Sequence, residues 1–68
     1  MVEVFKTNVS NQERAQWLVA AWMERFPNHR ISFDLEDCDR ILRIQGDEVC
    51  TESVIDWLSS QGHDCLLL

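Results

Sequence analysis

Glycine, proline and basic side chains are scarce in this chain, and each scarcity removes a class of function. Two glycines in 68 residues leave no Gly-rich loop to cradle a phosphate. Six Lys and Arg against twelve Asp and Glu give a formal charge of -6, which opposes a nucleic-acid partner. No apolar run approaches the ~20 residues that a bilayer-spanning helix needs, so no membrane partner is expected. The three cysteines, Cys38, Cys50 and Cys65, are odd in number and show no C-x-x-C spacing. They do not make a disulfide framework, and reduced thiols in a cytoplasmic protein are expected. The N-terminus runs straight into a strand pattern, so no secretory leader is expected. Ser/His/Asp and Cys/His sets at recognisable spacing are missing too, so the chain is not expected to be an enzyme. The acidic run Asp34, Glu36, Asp37, Asp39 lacks the glycine and terminal glutamate of a calcium loop.

What is present is a dense apolar fraction, 46% of the chain, with three tryptophans. That suits one ordered domain over residues 1–68, with no linker or repeat. Met1–Thr7 reads as a strand whose facing is open, because Val2 and Val4 share one parity and Phe5 and Thr7 the other. Ser10 with Glu13 three residues later forms a capping-box pattern, and a helix is expected from Asn11 to Phe26. Ala15, Leu18, Val19, Trp22 and Phe26 form its apolar stripe, and Trp17 faces away from them. Pro27 and Asn28 end the helix.

Arg30–Glu36 alternates, with Ile31, Phe33 and Leu35 on one side. After the polar break Asp37–Asp39, Arg40–Gln45 forms a second strand with Leu42 and Ile44 inward. Thr51 is the expected N-cap of a second helix, whose stripe is Val54, Ile55 and Leu58 with Trp57 at its flank. Gly62 fits a left-handed C-terminal cap, and Asp64–Leu68 closes the chain as a strand. The order βαββαβ predicts a ferredoxin-like α+β sandwich, two helices over one face of a four-stranded antiparallel sheet.

Three segments carry a further likeness. FKTN-V after the first strand, FDLEDCDRILRIQG across the hairpin and ESVIDWLSSQGHDC at the second helix resemble the heavy-metal-associated domain, in its bacterial stand-alone form. The resemblance implies a soft-metal carrier that holds Cu(I) between two loop cysteines, as metallochaperones and pump modules do. It places the two cysteine positions on Asn11 and Arg14, and the hydrophobic residue beneath the loop on Val9. The metal loop is thus degenerate. An amide and a guanidinium do not replace the thiolates that select Cu(I), and the fixed charge of Arg14 repels a cation.

Three readings of these positions follow. Arg14 at the helix N-terminus is a candidate anion site. Cys38 and His63 on loops at the same end of the sheet, with Cys65 at the start of the last strand, are candidate substitute ligands for Cu(I) or Zn. Trp17 either covers the vacated loop or anchors an interface. The leading expectation is a diverged domain without loop-bound metal, serving as an interaction or regulatory module with a protein partner or a second copy. The alternative is a metal carrier or sensor using the non-standard Cys/His ligands.

Overall fold

Alternation decides the strands and the apolar stripes decide the helices. The structure, a computed structural model, describes residues 1–68. Its elements are β1 (Val2–Thr7), α1 (Gln12–Arg25), β2 (Arg30–Asp34), β3 (Ile41–Gln45), α2 (Thr51–Ser60) and β4 (Cys65–Leu67). The four strands form one antiparallel sheet in the order β2-β3-β1-β4. With both helices on one face, this is the expected ferredoxin-like sandwich. No helix is long and apolar enough to cross a membrane.

The facing of β1, open from sequence, is settled by the core. Phe5 and Thr7 are buried, while Val2 is exposed on the opposite side. Phe5 lies opposite Leu42, and Glu3 opposite Ile44, so the inward pair of β3 is the expected one. Phe5, Leu42 and Ile44 join Leu18 and Trp22 of α1 and Val54 and Leu58 of α2 in one cluster. Val9, below the loop, is fully buried in the same cluster.

Two caps differ from expectation by one residue each. Asn11, rather than Ser10, caps α1, its Oδ1 accepting the Arg14 N–H at 2.9 Å. Asparagine caps as well as serine, and starting the helix at Gln12 puts Arg14, not Glu13, at the third position. The reciprocal half of a capping box therefore has no carboxylate to supply it. Cys50, rather than Thr51, precedes the first helical residue of α2 and makes no side-chain capping bond. Gly62 does adopt the left-handed conformation, at φ 88°. The His63 N–H donates back to Leu58 O at 2.9 Å, the long bond of a Schellman cap.

The hairpin is held by β1. The Thr7 hydroxyl donates to Arg40 O at 2.6 Å and accepts the Val9 N–H at 3.2 Å. Arg40 has a left-handed backbone, φ 48°, which costs a non-glycine residue about 1 kcal/mol. Its guanidinium donates to Leu35 O and its N–H to Asp37 O, so the turn offsets that cost locally. The β1–α1 loop, the hairpin and the α2–β4 loop thereby meet at one end of the sheet.

Candidate functional site

That end is closed by protein hydrogen bonds. Asn11 is spent on capping α1. Arg14 reaches across to the α2–β4 loop. Its Nε–H donates to His63 Nε2 at 3.1 Å and an Nη2–H donates to Gln61 O at 3.0 Å. Asn8 adds a second stitch: its Oδ1 accepts the Asp64 N–H at 2.9 Å and its Nδ2 donates to the Asp64 carboxylate at 3.3 Å. Two loops 47 to 56 residues apart in the chain are thus clasped together.

The clasp fixes the state of His63. An imidazole nitrogen that accepts from a guanidinium carries no proton, so this pattern assigns the proton to Nδ1. Burial pulls the His63 pKa below its ordinary 6.5, the neighbouring Arg14 charge adds to that, and Asp64 opposes it. The same bonds engage some of the donors of the candidate anion site at Arg14. Asn11 holds the Arg14 N–H of the helix terminus, and His63 and Gln61 accept two of the five guanidinium N–H groups.

The Trp17 ring lies under the Arg14 guanidinium, 4.7 Å from carbon to centroid. Half of its surface nevertheless stays exposed.

The cysteines are dispersed. Cys65 is buried in the core, and burial pushes its thiol up to about 11. Cys38 is exposed in the hairpin between Asp37 and Asp39, and these three are the one group of three potential ligands lying within 4.8 Å of one another. Cys38, His63 and Cys65 do not form a second such group, because one thiol points to solvent and the other into the core. Cys50 is exposed at the start of α2, at the other end of the sheet. The Ser53 hydroxyl and backbone N–H stand where they stabilise its thiolate, which lowers its pKa below the ordinary 9.0.

The opposite end carries a feature that periodicity did not reveal. The Trp22 indole N–H donates to His29 Nδ1 at 3.1 Å, and His29 Nε2 lies 2.8 Å from Glu48 O. His29 also stacks on Phe26 with ring centroids 5.0 Å apart. Gly46 lies beneath this ring, where an added Cβ would come within 2.5 Å of His29 Cδ2. An open hollow of about 400 Å³ beside it is lined mostly by polar side chains, including Arg25, Asp47 and Glu48.

Compared with models of known protein families, with curated proteins and with solved structures, the chain matches none.

Proposed function

We propose that this chain is a diverged heavy-metal-associated domain whose loop no longer takes Cu(I), and that it serves as a non-catalytic interaction or regulatory module. One observation supports this reading above the others: the two positions that would carry thiolates hold a helix cap and a clasp. Asn11 and Arg14 are bonded to the protein itself, and the guanidinium brings a fixed positive charge to this end of the sheet. A soft cation meets neither a thiolate nor a neutral vacancy there.

The test is a competition titration of the fully reduced protein against a coloured Cu(I) chelator, with Zn run alongside. No metal taken at chelator affinities supports the module. One metal per chain or per dimer overturns it and directs attention to Cys38, His63 and Cys65, to be replaced singly by Ser, Ala and Ser.

A further inference from the structure

The helices cover one face of the sheet and leave the other bare, and the charges on the bare face are unlike those of the rest of the chain. Antiparallel partners share a face, so the register places Arg30 opposite Gln45, and Arg43 opposite Ser32, on this side. Lys6 lies there too, opposite Leu66. Half of the six Lys and Arg are therefore on one face of an acidic protein. Among strand residues on that face the only carboxylate is Asp34, at the hairpin end.

Lys6 has a partner, Asp39, at 3.6 Å, and this is the only ion pair in the molecule. Arg30 and Arg43 have none. They are exposed diagonal neighbours on adjacent strands, a like-charge pairing that disfavours the sheet. Between them is a shallow hollow of about 260 Å³, whose lining includes Ser32, Gln45 and Val2. Apart from Lys6, the other half of the face is apolar. Val2 is 55% exposed, Leu66 63% and Leu68 65%. Val4 lies between them, its carbonyl accepting the Leu68 N–H at 2.9 Å.

We infer that this open face docks an acidic polypeptide segment that carries large apolar side chains beside its carboxylates. Guanidinium groups match carboxylates in a two-pronged geometry, and here two of them are free and adjacent. The partner's apolar residues lie on Val2, Val4, Leu66 and Leu68, and its carboxylates on Arg30 and Arg43. A second copy presenting the same face is disfavoured, since Arg43 would meet Arg43. A nucleic acid fits less well, because the face has no aromatic ring for a base to stack on and the chain is acidic overall. This inference rests on the interaction-module reading and names its surface and partner chemistry.

The test is a titration of the isotope-labelled protein with a short peptide alternating Glu and Leu, followed by amide shifts. A matched Lys/Leu peptide and a single-stranded oligonucleotide serve as comparisons. Shifts centred on Arg30, Ser32, Arg43 and Gln45 are expected with the acidic peptide. Arg43→Ala should weaken binding about tenfold, the value of one charge-assisted bond. Arg30→Ala/Arg43→Ala should abolish it while the thermal midpoint holds, since neither side chain has a bonded partner. The inference is overturned by shifts elsewhere, by undiminished binding in the double variant, or by preference for the Lys/Leu peptide or the oligonucleotide. Cu(I) uptake would sink the module reading itself, whereas failed peptide binding without metal uptake sinks only this face.

Discussion

The two ends of the sandwich are closed by opposite means around a histidine. At the loop end, His63 is held by a permanent cation, Arg14, and the contacts are directional and only partly buried. At the far end, His29 is held by the Trp22 indole and Glu48 O inside an aromatic group with Phe26, and Trp57 lies 5.2 Å from Trp22. The first closure is mainly electrostatic, and the second is mainly buried area. The loop end keeps its shape by hydrogen bonding. An aromatic end keeps its shape by packing, and the two should respond differently to mutation and pH.

Trp22→Ala breaks the comparison at its stronger side. Trp22 is 2% exposed and its N–H is bonded, so the loss should be about 3–5 kcal/mol in denaturant unfolding. For a domain of this size that is comparable to the whole stability. A loss below about 1 kcal/mol would show that the aromatic end is not closed by burial.

Arg14→Ala tests the weaker side. Two hydrogen bonds and one cation–π contact disappear, for a loss of about 1–3 kcal/mol. The same variant should raise the His63 pKa, because the Arg14 charge is one cause of its depression. Carbon-bound imidazole proton shifts read this directly, and an unchanged midpoint would mean that the clasp does not form in solution.

Acid sharpens the contrast further. His63 has a folded pKa below its ordinary 6.5, so the unfolded chain binds the proton first as pH falls. The His63 contribution is complete above about 6.5 and declines as pH drops through that value toward the folded one. His63→Gln should flatten this part of the stability profile. A profile that is identical in the variant would remove His63 from the account.

Trp17→Ala should have the smallest effect, about 0.5–1 kcal/mol from the lost Arg14 contact. A concentration-dependent change in elution volume would instead make its exposed half an anchor for a second copy.

Most of the fold was legible because short-range periodicity carried it. Ile31, Phe33, Leu42 and Ile44 announce two strands, and Gly62 announces a cap. The facing of β1 was not legible, since both parities of Met1–Thr7 offer β-prone side chains and only the helices choose between them. The N-caps slipped by one residue, since Ser10 and Asn11, like Cys50 and Thr51, stand side by side. The resemblance singled out Asn11 and Arg14, but their bonding partners were not legible. Arg14 and His63 are 49 residues apart, and no spacing rule links them. The aromatic end was hidden for the same reason, since Trp22 reads as one more core residue until His29 and Glu48 are placed beside it.

The most direct test of the central claim is a Cu(I) titration of the native chain beside Asn11→Cys/Arg14→Cys. If the loop keeps the frame of a soft-metal site and only its ligands are replaced by a cap and a clasp, the double variant binds one Cu(I) per chain and the native protein binds none. A folded double variant that takes no Cu(I), or a native chain that takes it as tightly, would contradict the account.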